Sequence, residues 1–366
     1  MAYRYRSLYS GERACCYRTV RCQSAYVTIV RTLRMVVIAA IAAASLLTNV
    51  GGNAFAADCS RSFSGRTPLT DFAPGETYLG VQGGLYAGAS NQRPAAHTGA
   101  GQAIATNQVR PRTPSGAIDP VNGLTGMISI GMSNTTQEFS YFVSTLAGDP
   151  TIHPRLRVVD GAQGGQDAIA WSTPDAAPWS VLASRLSNAG VAPAQVQTLW
   201  LKQQIAQDDL AQYGPFPSGA NTLRDYLRTI VRIAKSKYPN LRLAYVSSRT
   251  YGDYNGAARG TGAYQSAFAV RQLVTDQING DSRLAYSGTG AVAPWLSWGA
   301  YLWADGLGSD QTVGGIPGRS DGLEWRCSDF DTDGIHPATS GRQKVSGMLH
   351  DHFRSDVTTT PWFLAP

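Results

Sequence analysis

Long apolar runs, cysteine and charge are all scarce in this 366-residue chain, and each scarcity narrows what the chain can be. The longest apolar run, residues 35–47 (Met-Val-Val-Ile-Ala-Ala-Ile-Ala-Ala-Ala-Ser-Leu-Leu), is too short to span a bilayer. It follows Arg31 and Arg34 and precedes Ala54-Phe55-Ala56, a small-x-small cleavage signature, so residues 1–56 read as a leader and signal peptide cut after Ala56. Its first 30 residues are long for a leader, which points to a translation start further downstream. No stable membrane insertion is expected once it is removed. Charged residues make up only 15% of the chain, in no long run of one sign. The leader holds seven of the 31 basic side chains and one of the 25 acidic ones, leaving 24 of each in a formally neutral mature chain. The net charge of +6 therefore belongs mainly to the leader and gives no support for nucleic-acid binding.

Three of the five cysteines, Cys15, Cys16 and Cys22, also lie in the leader. Cys59 and Cys327 remain, an even pair in a chain bound for a secreted or periplasmic, oxidising location, and a single disulfide between them is expected. Ala56-Ala57-Asp58 lacks the small apolar residues that precede a lipidated cysteine, which argues against an anchor at Cys59.

No internal repeat is visible. About 310 residues remain after cleavage, enough for one large α/β domain with additions. Residues 57–124 are rich in Gly, Pro, Ser, Asn and Ala, and no helical or strand period is read there, so they are expected to form an irregular extension anchored by Leu85 and tyrosines. From 125 to 366 apolar runs at 127–131, 156–159, 196–201 and 241–246 alternate with helical patterns at 178–189, 221–237, 262–279 and 339–354. That alternation implies a mostly parallel sheet covered on both faces.

Two segments carry candidate chemistry. In Asp331-Thr332-Asp333-Gly334-Ile335-His336-Pro337, Asp333 stands three residues before His336 and can orient and polarise that imidazole as a general base. The buried run Gly126-Met127-Ile128-Ser129-Ile130-Gly131 stops at Met132-Ser133-Asn134, where an α/β sheet presents a serine at a strand's carboxyl end. Ser133 could also be a plain helix cap, but paired with the later Asp-x-x-His it reads as a nucleophile.

In these segments the chain resembles the SGNH (GDSL-like) hydrolase superfamily, over roughly residues 126–354. The resemblance implies a three-layer α/β/α sandwich with a flavodoxin-like, mostly parallel sheet, no cofactor, and four blocks that supply a nucleophilic Ser, an oxyanion Gly, an oxyanion Asn, and a His preceded by Asp. Ile130-Gly131-Met132-Ser133-Asn134 matches the first block at Gly131 and Ser133, with Met132 replacing the usual Asp. Val158-Val159-Asp160-Gly161-Ala162-Gln163-Gly164-Gly165 parallels the second, with Gly165 as the oxyanion glycine, and Asp333-Gly334-Ile335-His336-Pro337 fits the last. The third block departs: Trp200-Leu201-Lys202-Gln203-Gln204 stands where a Gly-rich turn ending in Asn is expected, leaving Gln204, or Gln203 in a tighter turn, as the amide donor. The implied activity is ester hydrolysis through an acyl-enzyme, with Ser133, Asp333 and His336 catalytic and an oxyanion hole of the Ser133 and Gly165 N–H groups and one Gln.

Rival readings fit the sequence less well. Gly131-Met132-Ser133-Asn134-Thr135 lacks the second Gly of an α/β-hydrolase elbow. Asp329-x-Asp331-x-Asp333-Gly334 begins like a calcium loop, but its twelfth position is Ser340 rather than Glu, and His350 and His352 face different sides of a helix, so no metal site is expected. A neutral, Trp-bearing chain leans toward O-acylated carbohydrate as the ester substrate, with lipase, thioesterase or acyltransferase chemistry as the alternative. A non-catalytic carbohydrate-binding module is the other reading, with Trp295, Trp298 and Trp303 stacking on sugars or else filling the core.

Overall fold

The computed structural model describes residues 56–206, 210–307 and 318–366. The signal-peptide expectation falls on residues outside that set, apart from Ala56. Phe55–Pro366 forms one compact unit.

Five strands make the central sheet: β1 (Thr125–Gly131), β2 (Leu156–Val159), β3 (Val196–Lys202), β4 (Leu243–Ser247) and β5 (Trp295–Trp298). All the strands run parallel, in the order β2-β1-β3-β4-β5. In β1, β3, β4 and β5 every residue is buried, the mark of parallel strands covered on both faces. The main helices are α1 (Ala95–Asn107), α2 (Ser133–Leu146), α3 (Ala177–Asn188), α4 (Ser218–Lys237), α5 (Ala257–Ile278) and α6 (Thr339–Ser355).

Residues in register on neighbouring parallel strands share a face, so Ser129, Trp200, Tyr245 and Ser297 point the same way. Phe139 of α2 stacks on Trp200 at 5.3 Å between centroids, and Phe353 of α6 meets Tyr245 edge-on at 5.7 Å. Those two helices pack together, as do α4 and α5. Helix α4 shows why: Leu223, Leu227, Ile230, Val231 and Ala234 form its buried stripe, while Arg224, Asp225 and Arg228 pair on its outer face. The result is the expected three-layer α/β/α sandwich with a flavodoxin-like strand order.

Two elements differ from the sequence reading. Strand β5 was not anticipated, and Trp295, Trp298 and Trp303 are all core residues at 3% exposure or less, which corrects the sugar-platform alternative. Segment 57–124 is not wholly irregular, because α1 lies within it. That helix buries His97, Gly101, Ile104 and Ala105; His97 stacks on Trp295 at 4.7 Å, and a Cβ on Gly101 would run into the same indole ring. Elsewhere the segment follows the main domain, with Leu69 and Tyr86 buried and Leu85 packed against the core.

The disulfide joins Cys59 to Cys327. Ala57 N–H donates to Thr332 O at 2.7 Å and Asp58 N–H to Tyr254 O at 2.8 Å, so the start of the described chain is tied to the segment that carries Asp333 and His336.

Candidate active site

In this strand order the chain reverses direction of winding between β1 and β3, and the crevice at their carboxyl ends is the usual place for a ligand. Gly131 ends β1 in register with Lys202, the end of β3. A Cβ at Gly131 would collide with the Thr135 side chain and with Lys202 O, which explains the glycine. Met132 is extended, and Ser133 opens α2, whose amino-terminal N–H groups favour negative charge there.

Ser133 Oγ lies 2.7 Å from His336 Nε2, and Nδ1 of the same imidazole is hydrogen-bonded to Asp333 Oδ2. Asp333 Oδ1 accepts the Ile335 and His336 N–H groups at 3.0 and 2.9 Å. Burial raises the Asp333 carboxyl, but the hydrogen bonds from the His336 ring and from these two N–H groups outweigh it and hold the group below its ordinary range. The loop is closed by Asp331 N–H donating to His336 O at 2.7 Å, and Gly334 turns at φ +71°, where a Cβ would lie only 2.7 Å from the Tyr254 carbonyl. Asn134 links helix to loop, its amide donating to Ile335 O at 2.6 Å. The carboxylates that began like a calcium loop diverge: Asp329 takes Lys344 Nζ and Arg326 N–H, Asp333 serves His336, and Asp331 lies 3.7 Å from Arg342.

Gly165 lines the same cleft as Ser133 and His336, a cavity of about 360 Å³, and stands at φ +72°, where a side chain would be strained. Its loop is fastened from below. Asp160 accepts Ser129 Oγ at 2.5 Å and Ser140 Oγ at 2.9 Å, and Arg185 donates to Asp160 O and Ala162 O at 2.9 and 2.8 Å.

The two glutamines separate. Gln204 lines the cleft, with Nε2 donating one hydrogen to Gly262 O at 2.8 Å, which leaves the second amide hydrogen for another acceptor. Gln203 is turned to the loop after β2, where its Nε2 donates to Gln166 O at 3.0 Å.

Beneath the cleft, Lys202 Nζ bonds both oxygens of Glu138, and both side chains are fully buried. Burial, only partly offset by Glu138, lowers Lys202 to about 8. The sequence reading did not single out this pair, nor Arg249, Tyr251 and Arg259, which also line the cleft. Arg249 follows β4 at its carboxyl end, a position that could have drawn notice. The remaining histidines lie elsewhere: His97 Nε2 meets Leu296 O at 2.8 Å, His153 accepts Arg155 N–H, and His350 meets Thr145 while His352 packs on Tyr245.

No protein-family model and no curated protein matches the chain. Among solved structures it is similar to a lipase from a goat rumen metagenome (10% identity, TM-score 0.36, covering 64% of this chain and 99% of that one). It is also similar to a variant of an acetyl xylan esterase from Geobacillus stearothermophilus (15%, 0.35, 64% and 95%). A third is the catalytic domain of peptidoglycan O-acetyltransferase A from Streptococcus pneumoniae (12%, 0.32, 66% and 98%). At such identities and TM-scores, the chemistry of the cleft has to be read from its own geometry.

Proposed function

We propose that this chain is a secreted serine esterase of SGNH type that hydrolyses carboxylic esters through an acyl-enzyme. The observation that carries the proposal is the 2.7 Å contact of Ser133 Oγ with an imidazole whose other nitrogen is held by Asp333. Ser133 attacks the ester carbonyl as His336 Nε2 takes its proton; the same imidazole then protonates the departing alcohol. Asp333 keeps the ring in the tautomer with Nε2 free and stabilises the imidazolium. The oxyanion is received by the Ser133 and Gly165 N–H groups and by the second amide hydrogen of Gln204, each donor worth about 3 kcal/mol in the transition state. Water resolves the acyl-enzyme, or another alcohol does, which would make the reaction acyl transfer.

A cleft of about 360 Å³ is near the small end of ligand cavities and suits a short acyl group better than a long lipid chain. It favours O-acylated carbohydrate over lipase chemistry. Cys59–Cys327 and the apolar run at 35–47 support export. The test is a panel of aryl esters of increasing chain length together with acetylated glycans. Acetyl and propionyl esters should be cleaved fastest, and a chain that cleaves none of them yet retains glycan affinity would favour the non-catalytic module.

A further inference from the structure

At the other end of the sheet, the amino ends of β4 and β5 meet the last turns of α4. Arg232 and Lys235 of α4, and Arg242 just before β4, line a cavity of about 660 Å³ with Ile233, Pro239 and Val292. A neighbouring cavity of about 300 Å³ shares Arg242, Gly288 and Ala291 with it and is lined by the half-exposed Tyr286. Arg242 thus stands between two lobes. Neither lobe is lined by an acidic side chain, and none of the three cations makes an ion pair among the described residues.

Arg242 Nε is buried with no hydrogen-bond partner, and its NH2 group has only a 3.5 Å contact with Asn240 Oδ1. Lys235 Nζ donates to Pro239 O and Leu241 O, each at 2.9 Å, which leaves its third hydrogen. Burial and the adjacent Arg242 charge lower Lys235 to about 8. Like charges gathered around Arg242 raise the energy of this cavity, and an anion seated there would relieve that repulsion. A bare ion is too small for a two-lobed space of this size. Arg242 offers planar paired donors for an oxyanion, the Thr229 and Ser236 side chains bring hydroxyls, and Ile233, Pro239, Val292 and Tyr286 offer apolar surface for the C–H faces of sugar rings.

We infer that this two-lobed cavity binds an acidic glycan segment about two sugars long, with its carboxylate or phosphate against Arg242 and Lys235. The site lies beyond the opposite ends of the strands from Ser133, about 15 Å or more away for strands of five residues, and does not depend on the reaction there.

Calorimetry on the mature chain with digalacturonate, a phosphorylated disaccharide, a neutral disaccharide and inorganic phosphate tests it. At least one acidic disaccharide should bind ten-fold or more tighter than the neutral one, and more weakly as salt rises; which one binds identifies the oxyanion. Arg242→Gln should weaken that binding ten-fold or more, and Arg232→Gln, at an exposed position where folding is not at stake, several-fold. Ser133→Ala should bind as the wild type does. Equal affinity for the neutral sugar, inorganic phosphate binding as tightly as the acidic sugars, or unchanged binding by Arg232→Gln and Arg242→Gln would overturn the inference.

Discussion

Replacing Glu138 by Gln should be among the most damaging single changes in the chain, because it leaves the fully buried Lys202 ammonium with no counter-charge. Breaking a buried pair by removing one partner costs about 3–5 kcal/mol, whereas replacing both by apolar groups of similar volume is often near neutral. Glu138→Gln should therefore unfold at a much lower urea concentration at pH 7, and Glu138→Leu with Lys202→Met should recover most of the loss. The pH dependence has a definite sign. Lys202 is already lowered to about 8 in the folded chain against an ordinary 10.5, and loss of Glu138 lowers it further. Below the folded value both states carry the proton and the full penalty applies; as pH rises through it, the folded state sheds the proton while the unfolded state keeps it until about 10.5. Stability of Glu138→Gln should thus climb between pH 7 and pH 10 more than that of the wild type. A loss below about 1 kcal/mol at pH 7, or a double variant worse than the single one, would refute the argument.

Reducing the disulfide, or making Cys327→Ser, should lower stability by up to about 5 kcal/mol for a separation of 268 positions, and by less to the extent that the Ala57 and Asp58 backbone bonds hold the segment; unchanged urea denaturation would contradict this. Gln204→Ala should lower kcat about 100-fold at nearly constant stability, whereas Gln203→Ala should act mildly, by loosening Gln166; the reverse ranking in steady-state kinetics would move the oxyanion donor to Gln203. Asp333, lowered from 3.8, contributes stability that is present above that value and is lost as pH falls through its lower folded value, so the difference in melting temperature between wild type and Asp333→Asn should shrink on acidification below about pH 4; a constant difference would refute the linkage.

The first four strands were legible because each carries a short, mostly apolar cluster rich in Val, Ile and Leu, as strands packed inside a parallel sheet require. Strand β5 was not: Trp-Leu-Ser-Trp is four residues long, and its buried Trp295 and Trp298 could be placed only by knowing that α1 and the preceding loop cover them. Helix α1 escaped notice because small residues do much of its packing, Gly101 admitting the indole of Trp295 where a large apolar stripe would have signalled a helix. Asp333 and His336 were legible because the loop that joins them is local, and Ser133 because a strand end placed it. The roles of Gln203 and Gln204, the Asp160 anchor and the Lys202–Glu138 pair depend on contacts between distant segments, which spacing along one chain does not encode.

The proposed mechanism makes Ser133 a nucleophile driven by His336. Incubation with an aryl sulfonyl fluoride or a fluorophosphonate, followed by peptide mass mapping, tests it directly. One adduct per chain is expected, on Ser133, absent in Ser133→Ala and formed far more slowly in His336→Ala, with ester hydrolysis lost in both variants and the double variant scarcely worse than either. Hydrolysis that persists undiminished in Ser133→Ala, or an adduct on another residue that accounts for the loss of activity, would contradict it.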